Sequence, residues 1–571
     1  MKKRGTEECI RDVFCRNIGV KSIEEVNDWF KKSYSNDYKI KDLTESVEYA
    51  KIFKDETVTI VGDYDVDGVV AVFILMMSLK WAGFKDVRYR IPRRFSEGYG
   101  ISTKIVDEIE SGLLITCDNG IAQPVAIKKA KNKGLGVIII DHHLPATDEA
   151  GNILIPNADF IIDPNAIEGS ADFNGYCGAG LCYKFACELL GQEMKFYTQL
   201  LQGATAVATV CDVMELREEN YVFVRNGLKK LLMPNLNTTG LYALVSAFQL
   251  TKHISAHDVG FKIGPAINAC SRMKDDGATE ALELLLYSGP FQTAIKKAEE
   301  IVSVNDARKA AKKEALIKAE SVIAEQCLYG DIPLVLYVPG ISEGLIGILA
   351  GNLSEKYQTP AFIFTDSENT DELKGSARAF GNYHVKNEMD KCPDLFERFG
   401  GHAGAGGMTI KRDNLEELRR VLSDNISDYV IPDDEEETYY DLEINASDIP
   451  KVLAELEAYE PFGEGNPQVI FKVNDFSVVP RYGSYKKLIG DDESIVKLYS
   501  SNSTAIGFDM ADKMKRIEKP NKLDLVGTLS YNYFNGNVDN QIEFFDFYEK
   551  KFEMKETDFA ARLRTLASSM S

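Results

Sequence analysis

The sequence predicts an α/β protein in several parts: a parallel-sheet domain, a long connecting helix, a second α/β domain and a C-terminal β-barrel. Three observations predict it. From about Lys51 to Ile162, short apolar runs alternate with helical stretches, the pattern of a parallel sheet with crossover helices. The stretch "IKKAEEIVSVNDARKAAKKEALIKAESVIAEQ" is long, charged and nearly free of breakers, as one exposed helix would be. From about Tyr439 to Tyr548, strands alternate with Gly and Asn turns.

Each part follows in order. At 571 residues the chain exceeds one ordinary core. Short helices occupy 1–45 and the parallel-sheet domain 46–235. A helical region ending in the connecting helix covers 236–328, and the second α/β pattern, from "IPLVLYVPG" to "GGMTIKRD", gives a domain at 329–430. The acidic "IPDDEEETYYDLE" marks a boundary before the barrel at 436–550, and 551–571 form a tail. In the first domain the strand runs are "TVTIVGD", "VRYRIP", "GLLITCD", "GLGVIIID" and "ADFIID", most of them ending in Asp. Ligand crevices of open α/β sheets lie beyond the carboxyl ends of the strands, so these carboxylates should gather there.

Composition narrows the class. The chain is 44% hydrophobic and 27% charged, ordinary for a soluble globular protein. No run of about 18 uncharged apolar residues predicts a membrane span, and "MKKRGTEECIRDVF" does not read as a signal peptide. The ten cysteines are scattered without a C-x-x-C pair, which disfavours structural zinc and suits reduced thiols in a cytoplasmic protein. A net charge of −22 argues against gripping duplex nucleic acid over the whole surface, while leaving room for a local basic channel.

The chemistry sits at the strand ends. In "IVGDYDVDGVVAV", Asp63, Asp65 and Asp67 alternate directly after a strand, so extended backbone would crowd them on one side. Crowded carboxylates raise one another's pKa unless cations neutralise them. Alone, such a D-x-D reads as a helix cap or loop. It is joined by Asp118 in "LLITCDNGI", by Asp141, His142 and His143 in "GLGVIIIDHHLP", by Asp163 and Asn165 in "ADFIIDPN", and by Asp212 inside the apolar "ATAVATVCDVMEL". An unpaired charge in such a helix would be expensive. Asp163, before Pro164, also fits a turn. Carboxylates with one or two imidazoles suit Mn²⁺ or Mg²⁺, and two such ions can drive a phosphoryl displacement. Asp141 either joins the ligands or accepts an N–H that fixes an imidazole tautomer.

"GDYDVDG", "CDNG", "DHH" and the Asp of "ATVCDVMEL" resemble, in that order, the four motifs of the DHH phosphoesterase superfamily. The resemblance extends to its RecJ-type single-strand-specific exonucleases: "RIPRRFSEGYGIS", "YCGAGLCYKF" and "GPAINACSRM" fit their catalytic part. "KGSARAF" and "RFGGHAGAGGMTI" resemble the DHH-associated domain, and "EPFGEGNPQVIF" resembles their OB-fold. It implies a two-metal 5′→3′ exonuclease that hydrolyses single-stranded DNA to mononucleotides with Mn²⁺ or Mg²⁺ in recombination and repair. It implies that Asp65 and Asp67 each favour one ion, Asp118 bridges, His142 and Asp212 complete one shell, and Asp63 and His143 stand beside the site. Arg94, Arg272, Ser376 and Arg378 fall at positions resembling the family's 5′-phosphate pocket, and His402 at a substrate-phosphate position. Partners implied are single-stranded DNA, a single-strand-binding protein and a RecQ-like helicase, with the chain a monomer that binds no membrane.

The chain departs from that pattern at Ile341-Ser342, where the family has Trp-His, and at Ala266 and Ser271, where it often has Arg and Gly. On the barrel, Tyr482, Tyr485, Phe508, Tyr531, Tyr533 and Phe534, with Lys486, Lys487 and Lys497, could stack bases and hold phosphates, or pack a core. Two other functions compete. One is a DHH phosphodiesterase for short oligonucleotides or cyclic dinucleotides, disfavoured by the barrel. The other is a non-catalytic DNA-binding scaffold, disfavoured by the intact acidic set.

Overall fold

The computed structural model describes residues 2–549 except 149, 368, 427–428, 431–437, 482, 491–492 and 535–536. The tail at 551–571, Tyr482, most of the acidic boundary segment and the side chain of Phe534 lie outside the described residues. The chain forms two compact units, one of residues 28–434 and one joining residues 1–27 to those from 435 onward.

The larger unit begins with five parallel strands: β1 (Thr57–Val61), β2 (Asp86–Arg90), β3 (Leu113–Cys117), β4 (Gly136–Ile140) and β5 (Phe160–Ile162). Their order is β2-β1-β3-β4-β5. Every residue of β3 and β4 is buried, which is why those runs are continuously apolar rather than alternating. Helix α1 (Val66–Trp81) is buried nearly all round, matching its unbroken apolar sequence. The chain leaves β1 toward β2 and returns on the other side for β3, so the switch point lies between β1 and β3. Asp63 follows one of these strands and Asp118 the other.

Helices α2 (Gly178–Leu190), α3 (Lys195–Cys211) and α4 (Gly264–Met273) lead to the 36-residue α5 (Phe291–Gln326), the connecting helix foreseen from the sequence. It is not exposed all round. Ala294, Ala298 and Ile301 enter the first core, while Ala315, Ala319 and Ile323 enter the second. These small residues recur at three- and four-residue spacing, so one narrow stripe of the helix seats in two cores.

The second domain has β6 (Leu334–Tyr337), α6 (Glu343–Tyr357), β7 (Ala361–Asp366), β8 (Glu372–Arg378), β9 (Phe396–Gly401) and β10 (Ala405–Lys411). Its sheet order is β9-β10-β8-β7-β6, antiparallel except for β6 with β7.

The smaller unit holds a seven-stranded mixed sheet running from Leu442–Asn445 to Asn537–Glu549. The segment that reads as one N-terminal helical stretch divides between the units. Helix Ile10–Ile18 places Ile10 and Val13 in the core beneath this sheet. Arg16 Nη2 lies 2.6 Å from Oδ1 of the buried Asp441, and Lys2–Lys3 pairs in parallel with Tyr439–Tyr440. The aromatic reading of this region is half met. Tyr485 and Tyr531 pack on the core, Phe508 and Tyr533 are exposed, and Lys486 spends its ammonium on the carbonyls of Met514 and Ile517.

Candidate active site

The acidic residues converge at the β1–β3 switch because each strand ends there. Asp65 caps α1, its Oδ1 accepting from Gly68 N at 3.1 Å, and Asp67 stands in the first turn. Asp67 in turn accepts from the start of α2, from Gly178 N at 2.6 Å and Ala179 N at 2.9 Å. A helix N-terminus offers free N–H groups and favours negative charge. Asp118 follows β3 with a φ of +59°, a left-handed conformation that Asp tolerates better than most residues. Gly178 permits the closeness: a Cβ there would lie 2.7 Å from Asp118 Cβ and 2.9 Å from its Cα. Gly178→Ala is therefore expected to cost about 1–3 kcal/mol and to weaken Mn²⁺ binding, read by thermal melts with and without the ion.

Three sets of ligand atoms form, each within 4.8 Å: Asp63, Asp65 and Asp118; Asp67, His142 and Asp212; and Asp118, His142 and His143. Asp118 thus joins two kinds of neighbour. His142 Nε2 lies 3.2 Å from Asp118 Oδ1, 3.6 Å from Asp212 Oδ2 and 3.8 Å from Asp67 Oδ2. It is buried, and none of these contacts is aligned as a hydrogen bond. Burial holds its pKa below the ordinary value, so a lone pair faces the carboxylates. Burial and then Asp65 push Asp63 well up; burial and then Asp67 do the same to Asp118. Asp212 is pushed up to about 8 by burial, with Asp67 and Asp65 adding to it. Buried, mutually repelling oxygens around an unpaired imidazole nitrogen are the donor set of a hard divalent cation site, so the residues fit Mn²⁺ or Mg²⁺.

Asp141 stands apart. Its carboxylate accepts from the backbone of Ile121, His142 and His143, and Oδ1 lies 2.8 Å from His143 Nδ1. Of the two roles open to it in the sequence, the geometry is that of positioning an imidazole. Burial pulls His143 down, but the Asp141 hydrogen bond and charge outweigh it and carry that ring to about 9. Asp163 closes a turn through the amides of Asn165 and Ala166, while Asn165 Nδ2 donates to His142 O at 2.7 Å.

Sequence reasoning passed over Tyr99. Its hydroxyl donates to Asp118 O at 2.9 Å and lies 3.1 Å from His143 Nδ1, tying the loop after β2 to both motifs. The only signal was its place among small residues in "SEGYGIS".

A basic group adjoins the acids. Arg94 lies over the Tyr64 ring at 4.5 Å and donates to Ser271 Oγ at 3.4 Å, so one of the departures supplies a hydroxyl here. Burial, with Arg94, Arg308 and Arg378 nearby, lowers Arg272 to about 10. Ser376 and Arg378 share one face of β8, with Arg378 Nη1 3.4 Å from Ser376 Oγ. A Cβ at Gly347 of α6 would lie 3.2 Å from Ser376 Oγ and 3.3 Å from Arg378 Nη2. His402 is exposed in the β9–β10 turn, beside the end of β8 through Ala379 N to Gly404 O at 2.9 Å. At the Trp-His position, Ile341 is buried in the second core and Ser342 precedes α6. Among the described residues, none of Arg94, Arg272, Arg308 and Arg378 forms an ion pair with a carboxylate.

Comparison with known proteins agrees with this arrangement. Residues 57–209 match the DHH family N-terminal domain, 332–428 the DHHA1 domain and 440–546 the RecJ OB domain. The single-stranded-DNA-specific exonuclease RecJ of Haemophilus influenzae is 28% identical over 85% of this chain and 87% of its own. That of Bacillus subtilis is 29% identical over 88% of this chain, which spans 63% of its length. The crystal structure of RecJ in complex with Mn²⁺ from Thermus thermophilus has the same fold, with a TM-score of 0.71 at 23% identity, covering 90% of this chain and 72% of the other. With its three matched segments in that order, the chain is similar over most of its length to the RecJ single-stranded-DNA-specific exonucleases and carries the DHH, DHHA1 and RecJ OB domains.

Proposed function

We propose that the protein is a metal-dependent exonuclease that hydrolyses single-stranded DNA from the 5′ end to mononucleotides. The observation that carries this reading is the gathering of Asp63, Asp65, Asp67, Asp118, Asp212 and His142 beside Arg94 and Arg272, which among the described residues form no ion pair with a carboxylate. Relatives similar over 85% and 88% of this chain bear the name of single-stranded-DNA-specific exonuclease. Asp63 and Asp65 would hold one Mn²⁺ or Mg²⁺, Asp67, His142 and Asp212 would hold the other, and Asp118 lies within reach of both sets. Bound there, the pair supplies a nucleophilic water and charge stabilisation for an in-line displacement at phosphorus. The chain's own groups do the rest. Asp141 and Tyr99 hold the His143 ring beside the cluster, where it can contact the scissile phosphate. Arg94, Arg272, Ser376 and Arg378 take the terminal phosphate, a task for which guanidinium forks and a hydroxyl are suited. His402 adds a contact to the strand, and exposed aromatics of the OB domain stack its bases.

Working on single strands fits a partner that exposes them, such as a RecQ-like helicase with a single-strand-binding protein, and a monomer in the cytoplasm. Among the described residues, no helix is long and apolar enough to cross a membrane.

The test is digestion of strands labelled at either end, with Mn²⁺ and with chelator. Early release of a 5′-labelled mononucleotide, abolished by chelator, is expected. Early release of the 3′ label would overturn the polarity. Equal rates on a dinucleotide and a long strand would favour the short-substrate phosphodiesterase, and binding without cleavage the scaffold.

A further inference from the structure

One set of polar groups is left over by the site just described. Helix α5 packs against α4 through apolar residues of both, and each helix also carries buried polar atoms. Asn305 is fully buried on α5, and neither its Oδ1 nor its Nδ2 has a hydrogen-bond partner. One turn on, Arg308 has its Nε buried and equally without a partner. On α4, Asn268 Oδ1 is also buried and unpartnered, one turn before Arg272. Buried donors and acceptors left unmade cost about 1–3 kcal/mol each, so four such atoms on two packed helices call for an occupant. Arg308 is close enough to Arg272 to press on its charge, and Arg272 is also pressed by Arg94 and Arg378. Burial lowers Arg308 itself. An array of cations that among the described residues makes no ion pair with a carboxylate, ending in an unmade guanidinium N–H, is built for an anion with several oxygens.

We propose that Arg308, one turn from the buried Asn305, is a further phosphate-binding residue of this enzyme, donating from the connecting helix to a DNA phosphate held against Arg272 and Arg378. The proposal rests on the nuclease reading for the identity of the anion. The phosphate is either the 5′-terminal group or the next phosphodiester along the strand, and both offer the same non-bridging oxygens. Because α5 is rooted in both cores of the larger unit, a residue at its middle places that phosphate relative to the metal ligands on one side and to β8 on the other.

The test uses the full-length protein, as wild type, Arg308→Ala and Arg308→Lys, with thermal melts to confirm folding. Two strands of one sequence, 5′-phosphorylated and 5′-hydroxyl, are measured for KM and kcat with Mn²⁺. They are also measured for binding by fluorescence anisotropy in Ca²⁺ across a salt series. Arg308→Ala is expected to raise KM and Kd for the phosphorylated strand roughly tenfold or more, leaving kcat within about twofold. The slope of log binding constant on log salt should fall by about 0.7, the share of one contact on a single strand. Arg308→Lys should recover the slope but not the full affinity, because the ammonium keeps the charge and loses the fork. Loss confined to the phosphorylated strand assigns the contact to the terminal group, and equal loss on both strands assigns it to the internal phosphate. Unchanged Kd and salt slope in a folded Arg308→Ala protein overturn the proposal. Binding is read without cleavage, so an inactive wild type would sink the nuclease reading and still leave Arg308 tested.

Discussion

Asp118→Asn is expected to reduce cleavage of single-stranded DNA on the order of a thousandfold or more, equivalent to about 4 kcal/mol in the barrier. Asn keeps the shape of the side chain and accepts the left-handed backbone at this position, where φ is +59°. It removes the carboxylate that, among the described residues, joins the Asp63–Asp65 set to the His142–His143 set. The same change should raise the melting temperature of the metal-free protein. Asp118 is pushed well above the ordinary carboxylate range by burial and by Asp67, Asp65 and Asp63, so a neutral amide relieves repulsion. Strand binding in Ca²⁺ should change little, since the arginine group is untouched. A stabilised variant that still binds DNA and no longer cuts it is the signature of a residue kept for chemistry at a cost in stability. Near-normal turnover by Asp118→Asn would contradict the bridging role.

The second large effect is stabilisation by the ion and its dependence on pH. An ion present at about 1000 times its dissociation constant stabilises the folded state by about 4 kcal/mol, a shift of a few degrees in a unit this large. In the metal-free protein, Asp212 is raised to about 8, and Asp63 and Asp118 are raised as well. Unfolded aspartates titrate near ~3.9. Between those values the folded cluster holds protons that the unfolded chain has lost. Metal-free stability from these groups is therefore greatest at low pH and declines as pH rises toward 8. A cation must displace the protons at low pH, whereas at high pH it relieves the repulsion. The Mn²⁺-induced rise in melting temperature should thus grow from pH 5.5 to pH 8. An equal shift at both pH values, or none, would count against a caged pair of ions. His142→Ala should shrink the shift at every pH, because its unpaired nitrogen is a ligand whose pKa is already low.

The acidic core of the site was legible because strand ends are legible. A β-strand of continuous Val, Ile and Leu closing on Asp declares both the sheet and the edge where its carboxylates meet. Asp63, Asp118 and Asp141 were read that way, and the sheet order brings them together. What escaped was of another kind. Tyr99 acts through its hydroxyl on a backbone carbonyl, a contact with no periodicity to betray it. Arg308 lies in a helix crowded with lysine and glutamate, where one more cation looks like solvated surface until its burial is known. Ser271 looked like a loss relative to the family and instead gives Arg94 an acceptor. Lys486 looked available to DNA and is tied to two carbonyls. The destination of residues 1–27 was also hidden, because pairing with a partner more than 400 positions away leaves no local mark in sequence.

That pairing has a consequence for how the molecule is made. The helix Ile10–Ile18 is translated more than 400 residues before the sheet against which it buries Ile10 and Val13, which comes only after Glu435. Through most of synthesis this helix must wait with its greasy face uncovered, while residues 28–434 can collapse on their own. A fragment cut to begin at 435 would therefore lack a piece of its own interior. It should be recovered in soluble form only when residues 1–27 are supplied beside it.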